Sequence, residues 1–517
     1  MARPTRAAAC LAVLALACSP EPTNDVNLLL VTFDTLRADR LGAYGNDEWD
    51  ESPSPTVDAL AASGTLFETT YASRGQTHPS LASIMTGKYP ITTGLRENGF
   101  PLDPTHTTLL EHLSAAGWHT GVFVANMEVF HPKEGWISRG ADEAADGFAG
   151  QRMVEYKEEA SKQRIWDDRV EASTMSFLDR TPGEGPFAAW VHFYDVHKPY
   201  TPPLEYRDRF GLSDELPPIL RAPPDKGMQG HLLEQFLANI TIGGREPTEA
   251  ELKRIRGLYD AGVLATDSRL ARILAKLQSL GELDNTVIVF TSDHGEELYD
   301  RNRYFFHGAS IHDGTVRLPL VISGPGIPSG KRVPALTQSI DIAPTVLDLL
   351  GVAPDPGHEG HSLMPLITGA TTEPPAPVAF VEWQDWIYAA TDGRHKLIWN
   401  PVHIWPRKMP FGAAPDPGVG YRVDCIEGYD LQADPFEADS LVADIDLAGV
   451  SLRGDGLPGP LAELAPALRA WLADETHQNP FDETALDAKD MEHLQQLGYM
   501  GAMGRSDSVK KDPCVER

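Results

Sequence analysis

The chain has 517 residues, 42% of them hydrophobic and 23% charged, with a formal net charge of −30. That length exceeds one ordinary core and implies a large domain plus a smaller one, and the composition is that of a globular protein. The acidity excludes a general binder of nucleic acid or anionic membranes, because phosphate groups would be repelled at long range; an anionic substrate would need a local cation, such as a bound metal.

Arg3 and Arg6 precede the apolar run Ala7–Ala17 and then Cys18, the layout of a bacterial export signal. The small residue before Cys18 also fits a lipoprotein processing box, so Cys18 is the expected lipidation site, with a plainly cleaved secretory signal as the alternative. On the lipidated reading, residues 1–18 are the signal and 19–26 a polar tether. The protein is then periplasmic or outer-membrane-associated, touching membrane only through its anchor. No later apolar run is long enough to span a bilayer. Cys425 and Cys514 lack the spacing of a zinc cluster; a disulfide between them and two separate thiols both remain open.

Asn27–Phe33 is a continuous apolar run ending at Asp34, the pattern of a buried strand in a parallel sheet. Similar runs follow at Gly121–Ala125, Phe187–Phe193, Thr286–Thr291 and Leu318–Ile322. Helical stretches lie between them. Thr108-Leu-Leu-Glu111 and Thr248-Glu-Ala-Glu251 read as capping boxes, the second opening a long apolar-periodic segment through Leu277. Strands alternating with helices predict an α/β/α sandwich around a mixed, mostly parallel sheet, with ligands just beyond the carboxyl ends of its strands. Asp34, Asp195 and Asp293 sit at such ends. Pro202–Gly244 reads as a long loop or insertion. The proline-rich stretch Glu373–Pro377 reads as a linker, placing the catalytic domain at 27–375. A C-terminal α+β subdomain with a small antiparallel sheet, signalled by Trp386–Ala390 and His395–Trp399, follows at 376–500, with a tail at 501–517.

The motifs make a more specific statement. Val31-Thr-Phe-Asp34-Thr-Leu-Arg37 resembles the opening motif of sulfatases, and Thr291-Ser-Asp293-His294-Gly295-Glu296 their second metal motif. Thr77-His-Pro79-Ser80 followed by Thr86-Gly87 is similar to their nucleophile motif. His192-Phe-Tyr-Asp195-Val-His197-Lys198, Tyr259 to Asp267, Phe306-His307-Gly308, Asp341-Ile-Ala-Pro344 and a C-terminal signature from Tyr429 to Glu437 agree in order, so the resemblance spans about residues 27 to 500. It implies metal binding by Asp34, Asp293, His294 and Thr77, with Thr77 also the nucleophile. It places His197 and His307 as leaving-group acid or as clamps on the substrate oxygens. Arg37 would be a partner of the metal carboxylates or a packing residue.

Three positions depart from the family pattern. Thr77 stands where sulfatases carry the Cys or Ser that becomes formylglycine, Leu81 where they carry a supporting Arg, and Thr35 where they carry a second Asp. No formylglycine is therefore expected. A threonine ester must be cleaved by water, as in related phosphodiesterases that use threonine and add a second metal; Asp195, His197 and His307 are the candidate ligands for one. The donor set accepts Ca, Mg, Mn or Zn. Hydrolysis of an anionic sulfate or phosphate ester is the leading expectation, with phosphoryl-headgroup transfer and non-catalytic recognition of sulfated glycans as alternatives.

Overall fold

The computed structural model describes residues 25–125, 135–146, 163–212, 246–383, 387–399, 426–442 and 456–474, apart from 182, 184, 199, 303, 304 and 309. Cys18, Cys425, Cys514 and most of the expected insertion, from residue 213 to 244, lie outside these.

Eight strands form the large sheet: β1 (Asn27–Phe33), β2 (Thr65–Tyr71), β3 (His119–Val124), β4 (Glu143–Asp146), β5 (Phe187–Phe193), β6 (Thr286–Ser292), β9 (Arg317–Ser323) and β10 (Lys331–Gln338). The short pair β7 (Glu297–Leu298) and β8 (Phe305–Phe306) stands apart from it. The order is β10-β2-β9-β6-β1-β5-β3-β4, and β9 alone runs against its neighbours. β1 lies at the centre, paired in parallel with β5 and β6. Alternate side chains of β1 serve opposite cores, as the pleat requires. Leu29, Val31 and Phe33 pack with helix α1 (Pro55–Ser63) and the helices Gln163–Leu178 and Glu249–Leu280. Leu28 and Leu30 face α2 (Thr77–Thr86) and the helices Leu109–Ala115 and Ile342–Leu349. The sheet is thus covered on both faces.

Both capping boxes form: Thr108 accepts from Glu111 N at 3.3 Å and Thr248 from Glu251 N at 3.3 Å, each reciprocated by the glutamate. β10 escaped the sequence reading because Pro334 interrupts it, and an edge strand tolerates the missing donor. β4, at the other edge, is short and half polar.

A second sheet of four antiparallel strands follows: β11 (Ala379–Trp383), β12 (Ile387–Thr391), β13 (His395–Trp399) and β14 (Ile426–Asp430). One face packs Val381, Ala389 and Ile398 against Tyr71, Val316 and Leu318 of the large domain. The other carries Leu397 and Ala390 onto the helix Leu461–Leu472. Beneath it Lys396 is fully buried, with Nζ 2.9 Å from Asp313 Oδ1 and 3.0 Å from Glu437 Oε1. Glu437, from the C-terminal signature, also accepts from Asp313 N at 2.5 Å. The small sheet therefore braces the segment that runs on from His307.

Candidate active site

Asp34 and Asp293 are the first residues past β1 and β6, and the register pairs Phe33 with Ser292, so the two carboxylates emerge side by side. Ser292 stitches the ends together: its hydroxyl donates to Phe33 O at 2.7 Å and accepts from Leu36 N at 3.0 Å. Thr35 N donates to Asp293 Oδ1 at 3.1 Å. The turn is strained, because Thr35 has φ 59 and a β-branched side chain rarely occupies that region. Tyr259, from the long helix, holds it by donating to Thr35 O at 2.7 Å and accepting from Arg37 N at 3.0 Å.

His294 Nδ1 lies 2.9 Å from the Gly295 carbonyl, which fixes the proton there and turns Nε2 inward. Nε2 is 3.4 Å from Asp293 Oδ2, 3.9 Å from Asp34 Oδ1 and 3.3 Å from Thr77 Oγ1. Gly295 is required here, since a Cβ would collide with the Gly314 carbonyl. Thr77 is the first residue of α2, where backbone N–H groups face outward and favour negative charge. The four residues that the sequence assigned to one site are thus brought together.

A fifth residue joins them. His192 on β5 has Nδ1 2.8 Å from Thr32 Oγ1 and Nε2 3.6 Å from Asp34 Oδ2. The motif His192-Phe-Tyr-Asp195 contains this residue, but the local pattern alone assigns its ring no role. The available signal was an imidazole inside an otherwise apolar buried strand adjacent to β1. Burial holds His192 down to about 4, so the ring is neutral. Burial, and then the neighbouring Asp293 carboxylate, push the Asp34 carboxyl well up.

Ligand atoms of Asp34, His192 and Asp293 lie within 4.8 Å of one another. Both Asp34 oxygens, Asp293 Oδ2 and His192 Nε2 are buried with no hydrogen-bond partner. Buried carboxylate oxygens without donors are costly, and a divalent cation satisfies them all at once. The residues therefore fit a metal ion.

His197 and His307 stand beside this cluster. Their ring centroids are 4.9 Å apart, and His307 is 4.7 Å from His294. His197 Nδ1 lies 2.6 Å from Lys198 O, and His307 Nδ1 lies 3.1 Å from Glu296 Oε1. Burial drives both rings to the neutral form and raises the Glu296 carboxyl.

Two expectations need correction. Asp195 does not join His197 and His307 as a second metal site: its carboxylate is 3.1 Å from Arg269 Nη2, and the three form no ligand cluster among the described residues. Its backbone N–H, with that of Tyr194, is committed to Asp167. Arg37 is not a partner of the metal-side carboxylates; it binds Asp39, Asp300 and the Glu296 carbonyl.

A doubly covered α/β sheet thus gathers carboxylates, imidazoles and a hydroxyl past the carboxyl ends of its central strands, and the comparisons with known proteins give this arrangement its class: an ester hydrolase of the alkaline phosphatase superfamily. The sequence model of the sulfatase family matches residues 26–352, and the chain belongs to that family. It is 25% identical over 451 residues to a choline-sulfatase of Rhizobium meliloti, covering 81% of this chain and 83% of that one. It is 27% identical over 398 residues to the multifunctional alkaline phosphatase superfamily protein PehA of Trinickia caryophylli, covering 66% and 77%. Among solved structures, the phosphonate monoester hydrolase of Agrobacterium radiobacter superposes with a TM-score of 0.63 at 24% identity, covering 87% of this chain and 97% of that one.

Proposed function

We propose that the protein is a metal-dependent hydrolase of singly charged tetrahedral esters, with Thr77 as nucleophile and sulfate monoesters, phosphodiesters and phosphonate monoesters as the substrate class. One observation carries this reading: the Thr77 hydroxyl lies 3.3 Å from His294 Nε2, beside two buried carboxylates whose oxygens lack donors. The similar proteins support the class, since their names include both a sulfatase and a phosphonate monoester hydrolase.

Asp34, Asp293, His294 and Thr77 would hold the ion, with His192 behind Asp34. Bound there, a divalent ion neutralises substrate oxygens and eases loss of the threonine proton. Thr77 Oγ, its proton passing to solvent, then attacks sulfur or phosphorus, the bond to the ester oxygen breaks, and that oxygen takes a proton from His197 or His307. Both rings are neutral in the free protein; the charge of the arriving anion favours their protonated form. Water cleaves the threonine ester, its hydroxyl joining sulfur or phosphorus and its proton returning to the same histidine, while Thr77 Oγ regains its proton from solvent. The start of α2 directs its N–H groups at the anion. Threonine is not a substrate for conversion to formylglycine, and Leu81, buried in the apolar core, offers no cation to support an aldehyde hydrate. Export with a lipid on Cys18 completes the reading and rests on the N-terminal sequence; mass spectrometry of the mature terminus tests it.

The decisive experiment is a panel of aryl sulfate, phosphate monoester, phosphodiester and phosphonate monoester, with and without chelator. Thr77→Ala should lower turnover by at least about a thousandfold, and Thr77→Ser should keep measurable activity. Phosphodiesters or phosphonates should turn over at least as well as sulfates. Efficient release by Thr77→Ala would mean that water attacks directly, ending the covalent mechanism.

A further inference from the structure

A second convergence of ligand atoms lies at the opposite end of α2 from Thr77, about 15 Å away by helix rise. His112, on the helix Leu109–Ala115, meets Asp355 and His358 from the loop that follows the helix Ile342–Leu349. One ligand atom from each lies within 4.8 Å of the others, and His112 Nε2 is 3.5 Å from Asp355 Oδ2. The two imidazoles are not stacked; their centroids are 6.1 Å apart at 79°. His112 Nε2 and both ring nitrogens of His358 are buried without a hydrogen-bond partner. Asp355 Oδ1 accepts from Gly357 N at 2.7 Å, which leaves Oδ2 for the cluster.

The surroundings are built rather than incidental. The loop is tied to α2 by Glu359 N and Gly360 N, which donate to Gly87 O at 2.9 and 3.0 Å. Gly87 caps α2 with φ 63, and a Cβ there would come within 2.9 Å of the His358 ring. Two imidazoles and one carboxylate suit a borderline ion of the zinc type, with solvent in a fourth position.

We propose that His112, Asp355 and His358 bind a second divalent ion of the zinc type, separate from the catalytic centre, that clips the helix Leu109–Ala115 and the 355–358 loop over the end of α2. Its role is structural: it anchors the far end of the helix that carries Thr77. Lys88 opposes the ion, since its Nζ reaches the loop beside Gly357 and lies 3.3 Å from His106 Nδ1.

The test uses the full chain carrying Asp293→Ala, which disables the other centre. Titration with Zn2+ should bind an ion and raise the melting temperature, and Co2+ should give the strong visible bands of tetrahedral coordination. Adding His358→Gln or His112→Gln should abolish both signals, Asp355→Asn should weaken binding by at least about tenfold, and Lys88→Met should tighten it. His358→Gln alone, with the catalytic centre intact, should keep hydrolysis. If neither histidine variant loses an ion while circular dichroism shows a native fold, or if the Asp293→Ala protein binds none, the proposal is wrong. Were Asp293 not a ligand of the catalytic ion, the parent protein would merely bind more metal, and loss of one ion on His358→Gln would still read out this site.

Discussion

Replacing Lys396 by Met removes one charge while nearly preserving volume, and its cost follows from what remains. The Asp313 and Glu437 carboxylates would stay buried without their shared cation, which sits 2.9 and 3.0 Å from them. Breaking a buried pair on one side costs about 3–5 kcal/mol. Burial outweighs Lys396 and already raises Glu437 to about 7, so in the variant this carboxyl should take up a proton readily. The loss should therefore be smaller at pH 5 than at pH 8. Urea unfolding at the two pH values measures this, and adding Glu437→Gln should recover part of the loss. Activity should fall as well, because the brace acts on the segment that follows His307. A destabilisation under about 1 kcal/mol at pH 8, with unchanged denaturant dependence, would show that the network carries no such load.

Two further outcomes follow from particular contacts. Tyr259→Phe strands the Thr35 carbonyl and the Arg37 N–H, both buried, and should cost about 1–3 kcal/mol in urea unfolding together with a fall in turnover. Burial raises Asp341 from 3.8 to about 7, so the folded state holds a proton that the unfolded chain releases. That contribution is full below pH 4, is lost as pH rises toward 7, and has a ceiling of about 4 kcal/mol. The stability difference between wild type and Asp341→Asn should shrink across that window and be flat above it; a difference independent of pH would contradict the assignment.

The central strands were legible because continuous apolar runs such as Phe187–Phe193 are what a doubly covered sheet demands, and Thr108 and Thr248 announced their helices through side-chain chemistry. The edges were not, since β4 and β10 face solvent on one side and carry polar residues or a proline, and the interior strand β2 was missed too because Glu68 and its threonines break the apolar run. At the site, Asp34 and Asp293 could be read because they end adjacent parallel strands. Asp195 ends a strand too, yet its side chain turns to Arg269, a residue 74 positions away that no local pattern connects to it. His192 was hidden for the converse reason: only the register that sets it opposite Thr32 reveals that its ring reaches Asp34.

Thr35 has one more implication. A β-branched residue held at φ 59 costs about 1–3 kcal/mol, whereas Asp and Asn enter that conformation far more readily. The backbone there already has the shape preferred by the acidic residue that other sulfatases place at this position. Thr35→Asp would add a negative charge beside the metal-side carboxylates and relieve strain in the same step. Active-site changes usually trade stability against chemistry. Here the sign depends on the ion: Thr35 is fully buried, so the added carboxylate costs more than the strain it relieves in the metal-free protein and is offset only where a cation lies against it, which ties the stability of this turn to metal occupancy.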